Sequence, residues 1–316
     1  MKYYPAPEQG LDIGLVNRAV EAAFAEHGRG NVQMPPKIYV TLPNGDFRTM
    51  PAYLPSEQIA GVKIVNVHPE NPKAGVPTVM ATTLILDIAT GVPVAILNAT
   101  GLTDLRTGSA GAIAAKYLSP KREIVLGVIG SGRQAEAQIA ATARELSIRE
   151  VKIGSRDRSH AESLAGKFQD LNAHAASLEK TCECDVLVTT TPSRVPIIRD
   201  EWIHEGMHIN AIGADAPGKE ELDPAILHRA RVFVDDPSQA FHSGEINVPV
   251  TKGLFATWMI AGTLGQVVIG KHRREKSGEI TVFDSTGLAI QDLAIASIAM
   301  RSATAIDLPF LEKSGQ

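Results

Sequence analysis

The stretch EIVLGVIGSGRQAEAQIAA, residues 123–141, constrains the fold more than any other part of this chain. A continuous apolar run with the character of a buried strand stops at Gly130, and a helical pattern begins just after Gly132. In such a junction the first glycine permits a sharp turn and the second lets backbone N–H groups approach a pyrophosphate. The helix N-terminus then adds positive potential. The spacing Gly130-x-Gly132-x-x-Ala135 therefore predicts a dinucleotide-binding βαβ unit. A tight packing turn with no ligand is the alternative.

The pattern continues in the same style. EVKIGS reads as a strand, HAESLAGKFQDL as a helix, and CDVLVTT, HINAIG and RVFVDD as further strands. Strands alternating with helices imply a doubly wound parallel sheet, a Rossmann arrangement, over residues 118–289. Residues 31–100 read differently. Short apolar runs, KIYVTL, GVKIVNVH, TVMATTLILDI and VPVAILNAT, are separated by turn formers, with Asn44-Gly45 as a hairpin signal. This region is predicted to be mainly antiparallel, preceded by a helix over LDIGLVNRAVEAAFAEHGRG. A small-residue helix, RTGSAGAIAAKYL, connects the two domains, and the apolar helix after EITVFDSTG is expected to return to the first. The fold class is thus α/β, with a Rossmann domain (118–289) inserted in a β-rich α+β domain (1–117 plus 290–316).

The chain has 316 residues, 44% hydrophobic, with 31 Lys+Arg against 35 Asp+Glu and a net charge of −4. Such a balance offers no basic face for duplex nucleic acid or an anionic membrane. The N-terminus, MKYYPAPEQG, lacks an apolar signal region, and no apolar run approaches the roughly 20 residues that span a bilayer. Cys182 and Cys184 belong to no longer ligand pattern. A reduced, cytoplasmic protein is expected. His204 and His208 have the spacing of a helical zinc pair, but Gly206 lies between them and a strand follows, so no metal is expected.

The end of the second Rossmann strand distinguishes the cofactors, because NAD uses an acid there for the ribose and NADP needs cations for its 2′-phosphate. Here Ser155-Arg156-Asp157-Arg158 follows the strand, which favours NADP(H), with NAD(H) possible if Asp157 turns to the ribose. Thr189, Thr190 and Thr191 fit the edge beside the nicotinamide ribose, although a threonine run can simply end a strand. Lys37, Arg48, Lys63 and Arg106 sit in or just after the β region. Lys63 lies in an apolar strand and Arg106 in a small-residue helix, so an anion should meet them, and a substrate carboxylate would suffice. Asp215, beyond a parallel strand, is the candidate general acid/base, with a pKa expected to rise in a partly dry cleft. Asp284 competes for that role or caps the following helix. Asp223 is expected to cap PAILHRA.

The blocks QMPPKIYV, FRTMPAYL, GVKIVNVHPENP, RTGSAGAIAAKYLSP, GVIGSGRQA, TTTPS, HINAIGAD, GEIN and FDSTGLAIQD resemble the ornithine cyclodeaminase/μ-crystallin family, from Leu11 to about Ala305. Within it QMPPK, the Arg48–Pro51 block, TTTPSR and INAIGAD look like archaeal-type alanine dehydrogenases. The resemblance implies a β-rich substrate and dimerisation domain with an inserted Rossmann domain, and a homodimer. It matches Lys63 and Arg106 to carboxylate-holding positions, Lys37 to a further basic one and Asp215 to the acid/base. Cyclodeaminases carry an acid at position 48, so Arg48 argues against ornithine. The implied cofactor set is Thr107, Gly130, Gly132, Arg133, Gln134, Ala135, Ser155, Arg156, Thr189, Thr190, Thr191, Asp284 and Ser285.

The expected activity is reversible NAD(P)-dependent reductive amination of pyruvate with ammonium to L-alanine. Lys63 and Asp215 would be catalytic, and Lys37, Arg48 and Arg106 would bind substrate. The alternatives are an NADPH-dependent reductase of a cyclic imino acid such as pyrroline-2-carboxylate, an ornithine cyclodeaminase, and a μ-crystallin-like NADPH-dependent binding protein. Intact Lys63, Arg106 and Asp215 argue against the last.

Overall fold

The computed structural model describes residues 1–310; residues 311–316, the tail of the expected C-terminal return, lie outside the described residues. In chain order, β1 (Lys2–Tyr4) and α1 (Ile13–Arg29) are followed by β2 (Ile38–Leu42), β3 (Gly45–Leu54), β4 (Ile59–Val67), β5 (Val79–Leu86) and β6 (Pro93–Asn98). Next come α2 (Thr100–Leu118), β7 (Glu123–Ile129), α3 (Arg133–Thr142), β8 (Ser147–Gly154), α4 (Arg158–Ala165), β9 (Ala173–Ala176), α5 (Leu178–Cys182) and β10 (Val186–Thr189). Then β11 (Arg194–Ile198), β12 (His208–Ala211), β13 (Glu220–Leu222), α6 (Pro224–Arg229), β14 (Ala230–Val234), α7 (Pro237–Ser243) and α8 (Asn247–Thr251) follow. The chain ends with β15 (Ile260–Thr263), α9 (Leu264–Val268), β16 (Ile280–Asp284), α10 (Ala289–Ser302) and β17 (Ile306–Asp307).

Two compact units result: residues 1–26, 30–106 and 288–310 form one, residues 27–29 and 107–287 the other. The first division falls inside α2 at Arg106/Thr107, not near residue 117. The reason lies in hydrogen bonding, since the Gln138 side chain donates to the Thr107 carbonyl at 2.9 Å and Asn210 donates to that of Gly111 at 2.9 Å.

The first unit is built on a seven-stranded sheet in the order β17-β1-β6-β5-β4-β3-β2. All its pairings are antiparallel except β1 with β6. Period-two alternation divides the faces. Met50, Ala52 and Leu54 of β3 and Ile59, Lys63 and Val65 of β4 are buried, and α10 packs on these two strands. Ile38, Val40 and Ile64 are exposed on the other face. The β2–β3 turn is Pro43-Asn44, one residue earlier than Asn44-Gly45, because Leu42 pairs directly with Gly45. Gly45 is needed for space, since a Cβ there would meet the Val67 carbonyl oxygen of β4 at 2.3 Å.

The second unit is an eight-stranded parallel sheet, β15-β14-β16-β12-β10-β7-β8-β9. Successive residues of β7 enter opposite cores: Ile124, Leu126 and Val128 pack with Ile139 and Ile153, whereas Val125 and Ile129 pack with Leu187 and Ile209. Burial on both faces explains why this strand reads as an uninterrupted apolar run. The strand order reverses direction at β7, between β8 and β10, and ligands of doubly wound sheets bind beyond such a point. Among the described residues no helix is long and apolar enough to cross a membrane.

Candidate active site

In the first unit the sheet gathers the predicted basic residues. Lys37, Arg48, Lys63 and Arg106 are all buried, with Lys63 only 1% exposed. Arg48 Nε donates to Asp46 Oδ1 at 2.7 Å, and its guanidinium lies 5.1 Å from the Tyr39 ring centre. Lys37 Nζ approaches the same ring at 5.9 Å. Lys63 Nζ donates to Asp292 Oδ1 at 2.7 Å, and Arg106 Nε stands 3.1 Å from that same oxygen. Burial, aided by the neighbouring Arg106 charge, pushes the Lys63 ammonium down to about 7, and Asp292 opposes the shift. The lysine therefore exchanges its proton near neutrality.

In the second unit, Gly130 has φ 111°, and a Cβ there would lie 2.4 Å from Thr190 Oγ1. Gly132 forms the N-cap of α3 without any side-chain cap, and a Cβ on it would meet nothing within 4 Å. The space in front of Gly132 lies at the carboxyl edge of β7 and the N-terminus of α3, a place that fits a pyrophosphate. Ala135 is fully buried under the helix. Ser131 and Ser155 hydroxyls are 3.0 Å apart, so the Gly130–Gly132 turn is tied to the end of β8. Arg156 is exposed there. The Asp157 carboxylate caps α4, accepting from the Ser159 N–H at 2.9 Å and the Ser159 hydroxyl at 2.7 Å. Arg133 and Gln134 stand in the first turn of α3, and Thr107 is a buried residue of α2, 8% exposed.

Asp215 follows β12 in the loop that starts at Gly213, and Lys219 Nζ pairs with its Oδ1 at 2.5 Å. A buried carboxylate, Glu221, holds this loop. Its Oε2 accepts the Gly213 N–H at 3.0 Å and the Thr189 hydroxyl at 2.8 Å, and its Oε1 accepts the Thr191 N–H at 2.7 Å. The Thr190 hydroxyl donates back to the Ile129 carbonyl. Thr189 and Thr190 hydroxyls are therefore engaged by the protein itself. Glu245 Oε1 in turn accepts the N–H groups of Glu221 and Leu222, and Asp284 accepts those of Glu245 and Ile246. Asp284 is fully buried in this chain of contacts. Asp235 instead accepts the Thr286 and Gly287 N–H groups and a hydroxyl proton from Ser285. Asp223 caps α6 as expected, through the Ala225 N–H.

Asp292, Glu221 and Glu245 escaped the sequence reading. The argument that singled out Lys63 applies equally to Asp292: a charge inside the apolar helix AIQDLAIASIA needs a buried partner. Glu221 and Glu245 sit in polar surroundings, where nothing in the sequence separates them from surface acids.

Residues 8–305 match the model of the ornithine cyclodeaminase/mu-crystallin family. The alanine dehydrogenase of Archaeoglobus fulgidus is 49% identical over 94% of this chain and 92% of its own length. The solved structure of an archaeal alanine dehydrogenase dimer with bound NAD is 44% identical, with a TM-score of 0.91 covering 97% of this chain and 99% of that one. The Delta(1)-pyrroline-2-carboxylate reductase of Thermococcus litoralis, solved with NADH and L-proline, is 30% identical, with a TM-score of 0.93 covering 98% of this chain and 100% of that one. The chain belongs to the ornithine cyclodeaminase/mu-crystallin family.

Proposed function

We propose that this protein is an alanine dehydrogenase, interconverting pyruvate plus ammonium and L-alanine with a nicotinamide dinucleotide. The observation that carries the reading is the buried meeting of Lys63 and Arg106 at one carboxylate oxygen, that of Asp292, a cationic pair assembled by the protein's own packing. The 49% identity to an alanine dehydrogenase supports the choice of substrate. When bound, the nicotinamide supplies the hydride to the imine carbon or removes it from the amine carbon.

Arg106, with Arg48 and Lys37, holds the substrate carboxylate; arginine suits this through its bidentate fork. Lys63 polarises the carbonyl and, titrating at about 7, donates a proton to the hydroxyl that departs as water when ammonia has added. Asp215 moves the proton at the amino or imino nitrogen. Thr107, Gly130, Gly132, Arg133, Gln134, Ala135, Ser155, Arg156 and Thr191, with Ser285, form the dinucleotide side. NADP(H) is the preferred form, because Asp157 is occupied as a cap and Arg156 is left exposed to meet a 2′-phosphate. The protein acts as a homodimer, whose second copy covers the exposed apolar face of Ile38, Val40 and Ile64.

A cyclic imino acid reductase is the second reading, favoured by the resemblance to the reductase solved with L-proline. It needs the same clamp and proton donor. Incubation with 15N-ammonium, pyruvate and reduced cofactor decides between them: 15N-labelled L-alanine by mass spectrometry is expected, and its absence overturns the proposal.

A further inference from the structure

Asp292 and its neighbour Gln291 sit in the first turn of α10, whose next four residues, Leu293–Ala296, are all apolar, and both are buried. Their partners are the two clamp cations. Asp292 Oδ1 takes Lys63 Nζ at 2.7 Å and faces Arg106 Nε at 3.1 Å. Gln291 Oε1 accepts from Arg106 Nη1 at 3.1 Å and is itself fixed by the Leu288 N–H at 2.7 Å. Asp292 Oδ2 and Gln291 Nε2 are buried without a hydrogen-bond partner. Packing a helix on a sheet does not require an acid here, because the residues that follow, Leu293, Ala294, Ile295 and Ala296, complete the contact with apolar atoms. A carboxylate with one free buried oxygen is tolerated only because two cations converge on the other.

We propose that Asp292 is the positioning residue of the carboxylate clamp: it ties Lys63 and Arg106 to one oxygen, fixing their spacing and orientation toward the substrate. The inference rests on the reading of Lys63 and Arg106 as the clamp. Lys63 is faced by Arg106 from α2, by Asp292 from α10, by Lys37 from the segment before β2, and by the uncharged Thr83 across from it on β5. Arg48, paired with Asp46, shares the same face of β3. Of the groups that act on Lys63, Arg106 and Lys37 disfavour its proton and Asp292 favours it. Removing the Asp292 charge therefore moves Lys63 to the neutral form at lower pH.

The test compares wild type, Asp292→Asn, Asp292→Glu and Lys63→Arg, each checked for cofactor affinity and melting midpoint. In wild type, kcat/KM for pyruvate falls as Lys63 loses its proton, and Lys63→Arg abolishes that alkaline limb. In Asp292→Asn the limb moves down by about one pH unit or more. Asp292→Glu restores its position but raises KM for pyruvate about tenfold while kcat changes less, since the charge is kept and the spacing altered. An unchanged profile with uniformly reduced activity overturns the proposal. If Asp292→Asn does not fold, Asp292→Glu decides alone: wild-type KM contradicts it. The rate of reductive methylation of Lys63, followed by peptide mass spectrometry against pH, reads the same shift without turnover. An inactive wild type with a shifted Lys63 would sink the functional reading alone, and an active enzyme with no shift would sink this inference alone.

Discussion

Glu221 Oε2 receives the backbone N–H of Gly213 at 3.0 Å, two residues before Asp215. The same carboxylate receives the Thr191 N–H and the Thr189 hydroxyl, so one buried acid joins the end of β10 to the loop of the candidate acid/base. Glu221→Ala leaves one buried and two part-buried donors without this acceptor. The expected cost is about 3 kcal/mol of stability in a urea titration, together with a loss of about tenfold or more in kcat as Asp215 shifts. Glu221→Gln should fall between wild type and alanine. Wild-type kcat in the alanine variant would contradict this role.

The two glycines of the phosphate turn are expected to fail differently. Gly130→Ala forces a side chain into a positive-φ backbone and against Thr190, so its melting midpoint should fall along with cofactor affinity. Gly132→Ala has room and an ordinary φ of −87°, so its stability should stay within about 0.5 kcal/mol of wild type. Its cofactor affinity should nevertheless drop about tenfold, because the added methyl stands in front of the α3 N-terminus. Isothermal titration beside thermal melting separates the two cases. Unchanged affinity in Gly132→Ala would place the pyrophosphate elsewhere.

Cofactor choice is expected to depend on Arg156. Arg156→Ala should lower the ratio of kcat/KM for NADPH over NADH by about tenfold, the loss of one charge-assisted contact to a 2′-phosphate. Steady-state kinetics with both cofactors measures it, and an unchanged ratio would show that Arg156 is only a solvated charge.

His208 sets part of the acid limit of stability. It is fully buried, bonded to Thr281 and Asn210 at 2.8 and 2.9 Å, and burial lowers its pKa to about 3. Between the unfolded value near 6.5 and the folded value, the unfolded chain binds a proton that the folded chain does not. Stability therefore falls as pH drops from about 6.5 towards 3. His208→Gln should flatten that part of the curve in chemical denaturation at several pH values. A slope identical to wild type would contradict the assignment.

The legible parts of the sequence were those in which one local rule dominates. The β7–turn–α3 junction carries its glycines, its apolar run and its helix start in adjacent residues, and the parallel sheet follows from strand–helix alternation. Lys63 and Arg106 stood out because cations interrupt apolar or small-residue segments. Asp292 lies 229 positions from Lys63, and only the fold makes that pairing visible. The Glu221, Glu245 and Asp284 contacts span 8 to 39 positions and join separate strands and loops, so no local pattern announces them. The displaced β2–β3 turn has a similar origin, since the need for Gly45 comes from β4 and not from the turn.

Absorbance at 340 nm, followed with NADPH or NADH, separates an alanine dehydrogenase from a cyclic imine reductase when pyruvate plus ammonium is compared with pyrroline-2-carboxylate. Faster oxidation with pyruvate and ammonium is expected, abolished in Asp215→Asn with cofactor affinity near wild type. Oxidation with the cyclic imine alone would contradict it and make the protein a ketimine reductase.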